Sequence, residues 1–196
     1  MRICVYCSSS TVIAEHHIAL AAELGTALAG RGHTLVSGGG SISSMGAVAT
    51  AVRAAGGHTV GVIPQALLAL EVGDRDADEL LVTDTMRERK ALMDAYADAF
   101  VALAGGLGTL EELLEIWVGR VLGLHDKPVV VLDPTGVFAS LRRQVDELVE
   151  QGFARADARD AVVWAADVEE ALRLCEGGSA TGTTPAAGAA ELVEGE

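Results

Sequence analysis

A chain of 196 residues is long enough for one domain with a full core. Half of it is apolar and only 4% aromatic, which suits short parallel strands buried between Ala-rich helices and argues against an aromatic-rich β-sandwich. A net charge of −14 excludes a general nucleic-acid or membrane-surface binder, so helix N-termini and a few chosen cations must meet any anionic ligand.

In chain order, residues 2–7 predict the first strand. It carries Cys4 and Cys7, whose spacing within a strand sends the two thiols to opposite faces. Half-buried thiols are therefore expected there, not a redox or zinc pair. No secretory leader is visible and no apolar run approaches membrane-spanning length, so the protein reads as cytoplasmic. A helix follows over 13–31, then a strand over 33–37, a helix over 44–55 and a strand over 58–63. The second half predicts a helix over 85–97, a strand over 99–103, a helix over 110–122 and a strand over 128–132. A helix over 137–151, a weaker strand over 161–164 and a short helix over 167–175 complete a domain of residues 1–176. Residues 177–196 are rich in Gly, Ser, Thr and Ala and read as a disordered tail.

Strands alternating with helices predict an α/β fold, a parallel sheet covered on both faces. Ligands in such sheets sit beyond the carboxyl ends of the strands, which selects the loops after Cys7, Ser37, Ile63 and Leu103. Two of these loops are glycine turns between a strand and a helix. One contains Gly38, Gly39 and Gly40, and the other Gly105, Gly106, Leu107, Gly108 and Thr109. Each aims backbone N–H groups at one point, a nest suited to a phosphate. Neither is a Walker A loop, since no Gly-Lys-Ser/Thr follows. The first nearly matches a dinucleotide fingerprint, but Ser43 stands at the third glycine and no acidic residue is placed to hold a ribose.

Glu111 and Glu112 put carboxylates within one helical turn of the second loop, where one of them can serve another part of the same ligand. Thr109 and Glu112 also fit a capping box worth roughly 1 kcal/mol, and that structural reading stands level with a catalytic one. Helical phase assigns Leu110, Leu113, Leu114, Trp117 and Val121 to the buried stripe. Glu111 and Glu115 share a solvated flank, whereas Glu112 lies apart, near Ile116 and Gly119, and is the better site candidate.

In the helix before that strand, Met86, Arg89, Lys90, Met93 and Ala97 cluster on one side at about 100° per residue, so Arg89 and Lys90 border the apolar stripe. Two cations there either snorkel to water or face an anion in a cleft. The five histidines show no metal-ligand spacing, and no Ser/His/Asp signature supports a hydrolase triad.

Met86-Arg87-Glu88-Arg89-Lys90 followed by Gly105-Gly106-Leu107-Gly108-Thr109-Leu110-Glu111-Glu112 resembles the paired signature of the Lonely Guy (LOG) family, cytokinin riboside 5′-monophosphate phosphoribohydrolases. The likeness runs from the first strand to about Cys175. It implies a Rossmann-like three-layer fold, a homodimer with the active site near the subunit interface, a nucleotide substrate, and no cofactor or metal. By motif it implies Arg89 and Glu112 as the catalytic pair. Lys90, the 105–109 loop and Glu71 are implied nucleotide contacts, and Met86, Glu111, Gly39 and Gly40 are grouped with them as substrate-binding candidates. Ala104 replaces a hallmark Pro, and Ser43 and Ser44 alter the family's G-G-G-x-x-G-x-M-G element. The implied reaction hydrolyses the N-glycosidic bond of a prenylated AMP or of AMP itself, and requires Arg89 and Glu112 to converge on a common cavity. The rival is a carrier of a nucleotide or a molybdopterin-type cofactor, which the presence of both Arg89 and Glu112 disfavours. Lysine decarboxylation would need a Schiff-base lysine, and only Lys90 and Lys127 exist.

Overall fold

The computed structural model describes residues 1–68 and 73–177. Glu71 and residues 178–196, the bulk of the expected tail, lie outside the described residues. The elements run β1 (Arg2–Tyr6), α1 (Glu15–Gly30), β2 (Thr34–Ser37), α2 (Ser43–Ala54), β3 (Thr59–Pro64), α3 (Gln65–Leu68), β4 (Glu79–Thr83) and α4 (Met86–Tyr96). They continue with β5 (Ala99–Ala102), α5 (Leu107–Val121), β6 (Val129–Leu132), α6 (Ala139–Glu150), α7 (Ala156–Asp160), β7 (Val163–Ala165) and α8 (Val168–Gly177).

The seven strands form one sheet in the order β4-β3-β2-β1-β5-β6-β7, every neighbouring pair parallel. The chain winds outward from β1 to β4, then returns to β5 on the other side of β1. That reversal opens the crevice in which doubly wound sheets hold ligands. Parallel pairing also brings all the strand C-termini, and both glycine loops, to one edge.

Strand alternation splits the core into two layers. Ile3, Val5 and Cys7 pack with Leu24 and Leu28 of α1, Val48 and Val52 of α2 and Leu172 of α8. Cys4 and Tyr6 face the other way, onto Met93 of α4 and Leu113, Ile116 and Trp117 of α5. The two thiols therefore occupy opposite faces, both buried, and desolvation pushes Cys7 up to about 12. Cys175, the third free cysteine, lies on the buried face of α8.

Three elements are additional to the sequence reading: α3, α7 and the edge strand β4. β4 is half exposed and follows the acidic run Asp74 to Asp78, so its apolar residues do not stand out as a buried run.

Candidate active site

α4 begins with a capping box at Thr85. Its Oγ1 accepts from the Glu88 N–H at 3.1 Å, and Glu88 Oε2 accepts from the Thr85 N–H at 3.2 Å. The box fixes where the helix starts and so puts Arg89 one turn inside it. Helical side chains lean toward the N-terminus, and Arg89 is carried back over the ends of β2 and β3. Its Nε donates to the Val62 carbonyl at 3.1 Å. Nη1 donates to Oε1 of Glu112 at 2.8 Å. Arg89 is 6% exposed and Glu112 8%, so this is a buried, charge-assisted pair joining α4 to α5.

α5 starts at Leu107, three residues before the sequence reading, with Gly106 as its N-cap and no side-chain cap. Thr109 is thus inside the first turn and cannot cap it, so the capping-box reading of Thr109 and Glu112 is overturned. Thr109 is buried against Gly105, where a Cβ would collide with its side chain. The N–H groups of Leu107, Gly108 and Thr109 have no intrahelical partner and point off the helix end. Gly106 and Gly108 face open space, so nothing in the protein itself excludes a larger residue at either. A ligand that must approach the backbone does supply a reason for glycine there.

The 38–42 loop forms the second wall. Gly39 has φ of +70° and lies against Val62 and Ile63. A Cβ on Gly38 would overlap the guanidinium of Arg89, so this glycine gives Arg89 its space. Gly40 donates its N–H to the Met45 sulfur at 3.1 Å. Ser43, standing at the family's glycine, keeps the glycine-type backbone with φ of +56°. Its Oγ donates to the Ser10 carbonyl at 2.5 Å, which offsets part of the strain.

Burial raises the pKa of Glu112, and the Arg89 charge and hydrogen bond act against it. Cys4, Tyr6 and Cys7 feel the Glu112 charge and are themselves pushed up, chiefly by burial. Lys90 forms ion pairs with Glu111 and, at 2.7 Å, with Glu115. Glu111 and Glu115 stand together on an exposed flank of α5, as their phase predicts, and clasp Lys90 from there. The buried side of α5 is Thr109, Glu112, Leu113, Ile116 and Trp117, while Leu114 turns outward with Val118 and Leu122. Met86 is half exposed and Leu107 is 85% exposed, so both sit at the rim, away from the buried pair.

Arg89 and Glu112 thus meet directly, beside both glycine loops. Two clefts, of about 270 and 440 Å³, lie at the β7 edge around Arg142 and Trp164, and no site residue lines either. Among the described residues, no group of three or more His, Cys, Asp or Glu is disposed to hold a metal ion. Sequence reasoning missed Gly38 and the Val62 carbonyl as the groups that seat Arg89. The triple glycine was the available signal for the first, and the carbonyl had none.

A protein-family model described as "Possible lysine decarboxylase" matches residues 45–175. The chain is 52% identical over 173 residues to a cytokinin riboside 5′-monophosphate phosphoribohydrolase of Mycobacterium tuberculosis, covering 88% of this chain and 92% of that one. It is 43% identical over 175 residues to the phosphoribohydrolase LOG1 of Arabidopsis thaliana, covering 89% and 82%. Among solved structures, the molybdenum cofactor carrier protein of Chlamydomonas reinhardtii superimposes with a TM-score of 0.69 at 24% identity, covering 92% and 98%, a likeness of fold. The structural-genomics target TM1055 superimposes with a TM-score of 0.67 at 26% identity, covering 89% and 98%.

Proposed function

The chain belongs to the Lonely Guy family, and we propose that it hydrolyses the N-glycosidic bond of an adenosine-type 5′-monophosphate, prenylated on N6 or plain AMP, to free base and ribose 5-phosphate. The observation that carries this reading is the buried Arg89–Glu112 pair next to the uncapped N-terminus of α5.

As the C1′–N9 bond lengthens, positive charge builds on the ribose and the transition state resembles an oxocarbenium ion. The Glu112 carboxylate stabilises that charge, orients a water and takes its proton as the oxygen bonds to C1′. The bonding electrons leave with the base, which takes up a proton. Arg89 orients Glu112 and, permanently protonated, does not act as an acid. The free N–H groups of Leu107, Gly108 and Thr109 hold the 5′-phosphate, and binding energy gathered there is used at the reacting carbon. Lys90, Glu111, Met86, Gly39 and Gly40 belong to the surrounding substrate contacts, and Glu71 to the same set by family likeness.

Exposed Leu107, Leu114, Val118 and Leu122 make an apolar stripe along α5, which supports a homodimer closing over this face. A sedimentation experiment returning a monomer would contradict that assembly. Three free cysteines are in keeping with a cytoplasmic protein, and fractionation of cells would test the compartment. A pyridoxal enzyme is not supported, because Lys127 is engaged by Asp94 at 2.8 Å and Lys90 by Glu111 and Glu115. The carrier reading has the shared fold behind it but gives the buried Arg89–Glu112 pair no task.

The test is incubation with AMP, N6-prenylated AMP and the matching nucleosides, followed by chromatography for free base. Release from the nucleotides alone is expected. Equal release from the nucleosides would refute phosphate anchoring.

A further inference from the structure

A second ion pair, its carboxylate buried and its guanidinium partly so, lies on the far side of the first glycine loop, away from the reacting centre. Arg53, in the last turn of α2, forks onto Asp74: Nη1 donates to Oδ2 at 2.7 Å and Nη2 to Oδ1 at 3.3 Å. Asp74 is buried, and its Oδ1 also accepts from the Asp76 N–H at 3.3 Å, closing a turn. The backbone of the same residue grips the loop. The Asp74 N–H donates to the Gly39 carbonyl at 2.7 Å, and Gly73 pairs antiparallel with Gly40.

The other side of that loop touches the catalytic candidates. Gly39 is wedged against Val62 and Ile63, and Val62 is the residue whose carbonyl accepts from Arg89 Nε. Gly38 abuts the guanidinium so closely that a single added carbon would displace it. A continuous run of contacts therefore leads from α2 to the site: Arg53 to Asp74, Asp74 to Gly39, Gly38 to Arg89, Arg89 to Glu112.

We propose that Arg53 and Asp74 are positioning residues for the Arg89–Glu112 pair, acting through the first glycine loop. This inference rests on the hydrolase reading above. Backbone bonds alone leave a glycine-rich loop with wide conformational freedom. A bidentate guanidinium–carboxylate pair fixes distance and angle together, which one lysine ammonium does not. A pair of which one partner is buried and the other partly exposed adds little net stability over apolar residues of the same volume, so its use here is geometric. With the clamp loosened, Gly38 no longer confines Arg89, and the 2.8 Å bond to Glu112 loses its alignment.

The experiment uses the full chain carrying Arg53→Lys or Asp74→Asn, beside wild type and Glu112→Gln. Base release from AMP and from prenylated AMP is followed across pH, at a temperature well below the Tm of each variant. The expected result is a kcat lower by about tenfold to hundredfold with KM nearly unchanged. The acid limb of the kcat profile moves to higher pH, because Arg89 opposes the burial that raises the Glu112 carboxyl. The other groups felt by Glu112 are Lys90 on α4, Glu111 on α5, and Cys4, Tyr6 and Cys7 in and after β1, and neither variant changes any of them. Should a single variant fail to fold, the double variant Arg53→Met/Asp74→Leu, which leaves no lone buried charge, must show the same kcat loss and the same limb shift. A lowered Tm with unaltered kcat and pH limb overturns the inference alone. No base release by wild type overturns the hydrolase reading and this inference with it.

Discussion

Nη1 of Arg89 and Oε1 of Glu112 meet at 2.8 Å, joining two helices at the edge where β1 and β5 part, and neither side chain is as much as a tenth exposed. Each residue sets the other's chemistry. Glu112 keeps a buried guanidinium paired, and Arg89 favours the ionised carboxylate against desolvation.

Removing one partner leaves the other charge buried and alone. Arg89→Ala is expected to destabilise the fold by about 3–5 kcal/mol in urea unfolding. Arg89→Lys retains the charge but cannot reach both the Val62 carbonyl and Glu112, so kcat should fall at least about a hundredfold. Near-normal turnover in the lysine variant would exclude the orienting role.

The raised Glu112 pKa has a definite sign. A carboxyl that binds its proton more tightly folded than unfolded makes stability fall as pH rises from its ordinary value of 4.5 to its folded value. The stability of wild type relative to Glu112→Gln should therefore decline across that window and level off above it. Activity needs the ionised form, so the acid limb of kcat should lie above 4.5. A limb at or below that value would refute Glu112 as the titrating base.

Gly106 and Gly108 separate fold from function. Neither is crowded, so Gly108→Ala inside α5 should leave stability unchanged or raise it by up to about 1 kcal/mol. A Cβ at either position obstructs an approaching phosphate, and KM for AMP should rise. Gly105→Ala, which meets Thr109, should instead lower Tm. An unchanged KM in both the 106 and 108 variants would remove the phosphate from this loop.

Ser43 holds a positive φ with one hydrogen bond as compensation. Ser43→Ala keeps the strain and loses the bond, so it should cost about 1 kcal/mol. Ser43→Gly relieves the strain and should be close to neutral. Equal losses from both, by thermal unfolding, would show that the backbone is unstrained.

Most strands and helices were legible because each is a short apolar run or a clean helical phase. The same phase argument put Arg89 at the border of the apolar stripe and set Glu112 apart from Glu111 and Glu115, though it also placed the exposed Leu114 in the buried stripe. β4 was hidden by the acidic residues before it. The start of α5 was hidden by glycines, whose poor helix propensity was overridden by packing of Thr109 on Gly105. Lys90 was expected to contact the nucleotide, and the structure joins it to Glu111 and Glu115, two carboxylates one turn apart that fit one ammonium. Arg53 and Asp74 are 21 positions apart and meet only once the sheet has formed, so no local pattern signals them.

The most direct measurement is binding and turnover of AMP and prenylated AMP by Glu112→Gln. The amide keeps the size and a carbonyl acceptor for Arg89 while removing the charge and the base. Nucleotide affinity within a few fold of wild type, with turnover reduced by at least about a hundredfold, is the expected result. Wild-type turnover in this variant would contradict the assignment.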